Sequence, residues 1–513
     1  MERFAKHAAQ ALSLALKTEV PATELELPPD PKMGDFGFPC FRLAKEYKKG
    51  PPQVAQQIAG EIQSTGKLPK EITVAAVGPY VNFTVAPEAV LSALLSDILA
   101  GEGLGRYGSL PSDSRGSWVL EYSSPNVAKP LNIYHLRPTA LGAALDRIGR
   151  YRGYRVISIN HLGDWGKQYG MLVVAFRVFG KTLESKLTMM ELVDLYVKVN
   201  AEVEKHPELG EEAKQAFVKL EKGDPAVRAL WKKCVDISLE EFDRAYKRLG
   251  VKFDHIWGES FYEPQLQPMI EDMRKKGLLI ESEGAWVVPV TDEKGRELPP
   301  CIVQKTDGAT IYATRDLAAA IYRHGQFKFD RMTYIVGSEQ RLHFQQVFAT
   351  LRKMGHEWVS RCEHVGTGLY RFKDAKMSTR KGNFVTLEEV LELTKTRVRE
   401  LMTERYEKAQ ADAEEGSIGQ PPTDEICEAV AVGATVFHDL HTDPVKDVEF
   451  DVERVVDFQG ETGPYLQYAH TRCVSILRKA GAPAKFDAKL VARLGAPEEL
   501  ALVKVLGQFP LHL

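Results

Sequence analysis

The chain has 513 residues, 44% apolar and 27% charged, with a formal net charge of −3. That length fits roughly three domains, and the composition is that of a globular enzyme rather than a disordered or fibrous chain. The near-neutral balance excludes a globally basic nucleic-acid binder, but not one with local basic faces. Six cysteines, scattered singly between Cys40 and Cys473, form neither a disulfide framework nor a zinc-ligand pattern. A reducing, cytoplasmic setting without structural zinc is expected, and no apolar run of about 18 residues predicts a membrane span.

Residues 1–108 read as a small α+β domain. An Ala/Leu-rich helix spans Phe4 to Lys17, Gly34-Asp35-Phe36-Gly37 reads as a turn, and Phe41 to Ile62 reads as helix broken at Pro51-Pro52. Val74 to Val85 predicts two short strands around Gly78-Pro79, and a Gly-rich exit over 101–108 marks the boundary. Residues 117–390 alternate strand and helix, as in a parallel sheet. Trp118 to Tyr122 is a buried-type strand, Leu141, Ala144, Leu145 and Ile148 recur at helical spacing, and Val156 to Ile159 is the next strand. A charged, mostly helical insertion covers about 180–250, and strand-like segments return at 301–304 and 334–337. After a linker-like stretch at 408–424, helices are predicted at 427–440, 452–458, 464–479 and from Pro497 onward. These are few helices for a bundle, so the C-terminal part reads as cut short.

Two segments carry the chemistry. Residues 123–137, Ser-Ser-Pro-Asn-Val-Ala-Lys-Pro-Leu-Asn-Ile-Tyr-His-Leu-Arg, lie at the carboxyl end of a strand, where open α/β sheets bind ligands. Pro125 and Pro130 delay the helix until near His135, whose imidazole and neighbouring N–H groups suit phosphate. Residues 376–383, Lys-Met-Ser-Thr-Arg-Lys-Gly-Asn, pack cations and a hydroxyl that could neutralise a triphosphate. Tyr312 and Asp316 stand at i and i+4, sharing a helix face with a phenol and a carboxylate, and Glu121 ends the first strand; these groups suit a guanidinium. Gly337, Gln340 and His343 follow a strand, where Gln340 could hold an amine or carboxylate and Gly337 could admit adenine. Taken singly, each segment also fits a capped loop, a solvated basic turn or a helix N-terminus.

Taken in order, these motifs resemble the class I aminoacyl-tRNA synthetases, and specifically the arginyl-tRNA synthetases. The resemblance adds Asn160-His161-Leu162-Gly163-Asp164-Trp165-Gly166, Gly258-Glu259-Ser260 and Thr462 to His470, and it runs over the whole chain. It implies an α/β fold: a Rossmann-like parallel-sheet catalytic domain, a small N-terminal α+β domain and a partial C-terminal α-helical bundle. The expected domains are 1–108, leaning on the tRNA elbow; 117–390, catalytic; and 391–513, the start of the anticodon-binding part.

It implies activation of L-arginine by ATP with Mg2+, then transfer to tRNA(Arg) by a monomer. By the same resemblance Glu121, Ser123, Asn126, His161, Tyr312, Asp316 and Gln340 bind arginine. Asn132, His135, Gly337, His343, Met377 and Lys381 bind ATP, and His135, Lys129, Lys376, Ser378 and Lys381 are catalytic. Tyr80, Asn82, Tyr465, Tyr468 and His470 contact tRNA. The family's His-x-Gly-His slot here carries Asn132-Ile133-Tyr134-His135, and Pro138 replaces a small hydroxyl residue. These departures also fit a non-catalytic relative that binds tRNA or arginine; arginine transfer to another acceptor is a third reading.

Overall fold

The computed structural model describes residues 1–100, 106–306, 308–372, 385–411, 421–481, 494 and 496–513. The chain forms two compact units, Met1–Pro111 with Gly481–Leu513, and Ser112–Ala480.

In the first unit, β2 (Ile72–Val77) and β3 (Tyr80–Val85) form a hairpin through Gly78, which adopts φ 56°. The strand β1 (Phe36–Pro39) pairs antiparallel with β3, giving the order β1-β3-β2. Phe36-Gly37, expected in a turn, is thus strand; only Gly34, at φ 122°, keeps turn geometry. The helix Pro51–Thr65 starts on two prolines, which tolerate first-turn positions, and stops at left-handed Gly66. It buries Val54, Ala55, Ile58, Ala59 and Ile62, one helical face.

The helix Pro497–His512 also belongs to this unit, which revises the expected single body over 391–513. Gly507 lies against Met1 and Val90, where a side chain would crowd both, and the Lys504 ammonium reaches the buried Asp35 carboxylate at 3.1 Å.

The second unit is built on a parallel five-stranded sheet in the order β11-β10-β4-β5-β6. Its members are β4 (Ser117–Glu121), β5 (Arg155–Asn160), β6 (His255–Ile256), β10 (Arg331–Gly337) and β11 (Cys362–Thr367). The chain runs from β4 outward through β5 to β6, then returns to lay β10 on the other side of β4. Strand order reverses between β4 and β10, so the ligand crevice of such a sheet lies beyond their carboxyl ends.

Four helices from Lys167–Val178 to Pro225–Leu249 fill the insertion between β5 and β6. The strand expected at 301–304 lies outside the parallel sheet. It is part of β9 (Glu297–Lys305), which joins β7 (Ile280–Ser282) and β8 (Ala285–Thr291) in an antiparallel sheet. Further on, β12 (Tyr370–Phe372) pairs parallel with β13 (Val448–Phe450). Among the described residues no helix is long and apolar enough to cross a membrane.

Candidate active site

The loop after β4 is held in a strained shape. Ser123, Ser124 and Ala128 all adopt left-handed backbone, at φ 72°, 47° and 59°. Each such residue costs on the order of 1 kcal/mol or more, so the surroundings must over-determine the loop. They do so with hydrogen bonds. The Ser124 N–H donates to Asn160 Oδ1 at 3.1 Å, and the Ala128 N–H to Ser238 Oγ at 3.0 Å. Ser123 Oγ lies 2.7 Å from Tyr246 OH and 2.8 Å from Thr139 Oγ1.

Thr139 Oγ1 is also 2.6 Å from the His135 carbonyl, which can only accept. The Thr139 proton is therefore spent there, so Ser123 donates to Thr139 and Tyr246 to Ser123. Asn160 Nδ2 completes the run by donating to Tyr246 OH at 3.1 Å. Ser123, expected to touch arginine, is buried and committed to this chain of hydroxyls; its part is to shape the loop. Asn126, in contrast, is exposed beside Gly163, where any side chain would collide with its Oδ1.

The signature segment follows. Asn132 Oδ1 accepts from the Tyr134 N–H at 3.1 Å and caps the short turn Ile133–His135 that opens the helix Leu136–Tyr151. The Asn132 N–H donates to His135 Nδ1 at 3.2 Å, so the neutral ring carries its proton on Nε2. Burial, with the Lys129 charge adding to it, pushes the His135 pKa down to about 4. His135 is thus a neutral hydrogen-bond donor at physiological pH. Lys129 is exposed, and the Tyr134 side chain reaches the surface at 37% exposure.

Residues 376–383 lie outside the described residues, and with them the expected roles of Lys376, Met377, Ser378 and Lys381. The chain from Val385 onward is described, and it is zipped to the signature segment. The Ile133 N–H donates to the Val385 carbonyl at 3.1 Å, the Leu387 N–H to the Leu131 carbonyl at 2.9 Å, and Asn132 bridges to Thr386.

The helix Tyr312–Phe327 carries Tyr312 and Asp316. His343 Nε2 lies 2.6 Å from Asp316 Oδ2, and His161 Nε2 lies 3.7 Å from Oδ1. Burial raises the Asp316 carboxyl, but the His343 hydrogen bond and the charges of His343, His161 and Arg323 outweigh it and hold the carboxyl below its usual range. Tyr312 is exposed, with its ring 4.8 Å from that of His343. His343, expected on the nucleotide, is committed by this geometry to Asp316. Gly337 ends β10, and Gln340 follows in the short turn Ser338–Gln340.

Glu121 is 3% exposed, and its Oε2 accepts from Arg323 Nη1. Sequence reasoning missed Arg323. It falls seven positions beyond Asp316 on the same helix, and that i, i+7 spacing was the available signal. Tyr262, whose OH accepts from Arg323 Nε at 3.0 Å, and Tyr246 were also missed; Tyr262 lies just beyond Gly258-Glu259-Ser260, which was the available signal, and Tyr246 sits on a helix with none.

Of the residues expected on tRNA, Tyr465, Tyr468 and His470 are exposed on the helix Gly463–Ala480. Tyr80 is half-buried against Phe41. Asn82 is 5% exposed, and its Nδ2 donates to the Met33 carbonyl at 2.7 Å, so that donor holds the preceding loop.

Comparisons with known proteins bear on this geometry. The family model for the catalytic domain of class I (R) tRNA synthetases matches residues 96–452, and that for the arginyl tRNA synthetase N-terminal domain matches residues 2–85. This chain belongs to the arginyl-tRNA synthetase family. An arginine–tRNA ligase of Clostridium kluyveri is 42% identical over 512 residues, covering 99% of this chain and 87% of that protein. One from Clostridium perfringens is 43% identical over 484 residues, covering 94% and 82%. The Thermus thermophilus arginyl-tRNA synthetase structure superposes with a TM-score of 0.78 at 25% identity, over 98% of this chain and 86% of that one. The Plasmodium falciparum arginyl-tRNA synthetase, at 21% identity and TM-score 0.77 over 99% and 86%, shares the fold. Within this family the α/β class I architecture and the ligase chemistry are common ground.

Proposed function

We propose that the chain activates L-arginine with ATP, giving arginyl-adenylate and pyrophosphate, and passes the arginyl group to the 3′ end of tRNA(Arg). The observation that carries this reading is the pairing of Ile133 with Val385. It ties the chain from Val385, two residues beyond the Lys376–Asn383 stretch in sequence, to the signature segment that follows β4.

In this reading Asp316, with Tyr312 and Glu121, takes the guanidinium, and Asn126 and Gln340 hold the amino and carboxylate end. The substrate carboxylate attacks the α-phosphorus, the bond to the β-phosphate oxygen breaks, and pyrophosphate leaves. His135 Nε2–H and the Asn132 amide donate to phosphate oxygens. Lys129, Lys376 and Lys381 stabilise the charge that develops on the leaving group, with Ser378 and Met377 from the same stretch of sequence and Gly337 beside adenine.

His343 and His161 act on the pocket by steadying Asp316. Tyr80, Tyr465, Tyr468 and His470 supply ring faces for RNA. Among the described residues no group of three or more His, Cys, Asp or Glu is arranged to hold a metal ion. Magnesium belongs with ATP as part of the substrate, and no step is assigned to a protein-held ion.

Arginine-dependent exchange of pyrophosphate into ATP, with and without tRNA, tests the first step, and charging of a tRNA(Arg) transcript tests the second. Arginine binding without exchange under both conditions would leave a non-catalytic relative.

A further inference from the structure

The pocket read above for the substrate guanidinium already contains a guanidinium of its own. Arg323 is 0% exposed. Its Nη1 donates to Glu121 Oε2, its Nε donates to Tyr262 OH at 3.0 Å, and its Nη2 lies 3.3 Å from His161 Nδ1. The guanidinium carbon sits 5.5 Å from the centre of the Tyr262 ring and 6.0 Å from that of Tyr334. Glu121 ends β4 in register with Tyr334 on β10, so acid and arginine meet at the strand-order reversal.

A carboxylate offers a guanidinium its best geometry when both oxygens face the fork. With Oε2 held by Arg323, Glu121 cannot give a ligand that bidentate grip. A ligand guanidinium must instead bridge Glu121 Oε1 and the Asp316 carboxylate. The charges fit the same division. Arg323 offsets Glu121 within the protein, which leaves the Asp316 carboxylate, with His343 and His161 beside it, as the second acid for a cationic side chain.

We propose that Arg323 is a positioning residue for amino-acid selection: it keeps Glu121 turned so that one oxygen serves the substrate while the other stays with the protein. This rests on the reading of the crevice as an arginine-activating site. Without Arg323, Glu121 Oε2 loses the donor that fixes it, and the acid no longer presents Oε1 to a ligand. The ureido group of citrulline is uncharged and has an oxygen where arginine has a nitrogen donor, so it gains less from two fixed carboxylates and loses less when one of them turns away.

The test is ATP–pyrophosphate exchange with arginine and with citrulline. It uses the full chain, Arg323→Met, Arg323→Lys, Glu121→Gln and the double variant Glu121→Gln/Arg323→Met. In Arg323→Met the ratio of kcat/KM for arginine over citrulline falls about 10- to 100-fold, mainly through KM for arginine. Arg323→Lys recovers part of it. The double variant selects no worse than Glu121→Gln alone, because Arg323 acts through Glu121.

A drop of equal size for both substrates in Arg323→Met, or a further loss of selectivity in the double variant, would overturn the proposal. Should Arg323→Met fail to fold, the double variant leaves no buried charge unpaired, and its comparison with Glu121→Gln decides. A wild-type chain without arginine-dependent exchange overturns the activity and this inference together; intact exchange with unchanged selectivity in the variants overturns this inference alone.

Discussion

On the side of the crevice formed by the helix Tyr312–Phe327, charged groups already have protein partners. Asp316 lies between His343 and His161, and Glu121 is held by Arg323. On the side formed by residues 123–135 the order is stored in the backbone instead. Three left-handed residues are pinned by Asn160, Ser238 and Tyr246, while Asn126, Lys129 and Tyr134 reach solvent. One side is a preformed charge lattice; the other is a strained frame that presents a neutral imidazole. Substitutions on the first should change which amino acid binds and how tightly. Substitutions on the second should change the rate at which bound substrate reacts.

The largest effects come from removing the reading groups themselves. His135→Ala removes the Nε2–H donor and is expected to lower kcat for exchange by about 10²–10³, with KM for arginine little changed. His135→Gln, which keeps a donor, recovers part of this. A rise in KM for arginine without loss of kcat would place His135 on the other side of the comparison.

Next comes pH. Burial pushes the Glu259 carboxyl up to about 8, opposed by Arg315 and reinforced by the charges of Asp316, Asp164 and Glu263. Its neighbour Arg315 is 3.6 Å away through Nε and also pairs with Glu263 at 3.2 Å. Below about 8 Glu259 is protonated and neutral, and above it carries charge. Arginine is cationic, so its binding releases a proton, and KM for arginine falls by up to about tenfold from pH 7 toward 8.5. Glu259→Gln should flatten this profile. His135, neutral down to about 4, contributes no break near 6.5.

Smaller still is the frame. Tyr246→Phe leaves Ser123 Oγ and Asn160 Nδ2 without their shared partner and should cost about 1–3 kcal/mol of stability in urea unfolding. The smallest effect is at the signature departure. Because the Tyr134 side chain reaches the surface, Tyr134→Gly should change exchange by less than about threefold and cost about 1 kcal/mol of stability from backbone freedom. A large gain in rate would mean that the ring obstructs the nucleotide.

The sequence made the crevice legible where chemistry and chain position coincide. Pro125 and Pro130 announced the loop, the i, i+4 pair Tyr312 and Asp316 announced the face, and strand–helix alternation announced the parallel sheet. It did not show that Ser123 and His343 bond to distant residues, or that the Asn82 amide NH2 bonds to the Met33 carbonyl. Those partners, Tyr246, Asp316 and Met33, lie far away in the chain, and local pattern carries no record of them. Arg323 stayed hidden for a related reason. A lone arginine on a helix reads as solvated until its face is shown to be buried. The segment 301–304 misled because strand propensity does not say which sheet a strand joins, and the helix from Pro497 because amphipathic periodicity does not name its partner.

The account stands most directly on a calorimetric titration of L-arginine, with citrulline alongside, into the full chain and into Asp316→Asn, in the absence of ATP. A lattice built before substrate arrives predicts that the wild type binds arginine but not citrulline without nucleotide, and that Asp316→Asn weakens arginine about 10²-fold. Equal affinity for arginine in the two proteins, or equal affinity of the wild type for arginine and citrulline, would contradict it.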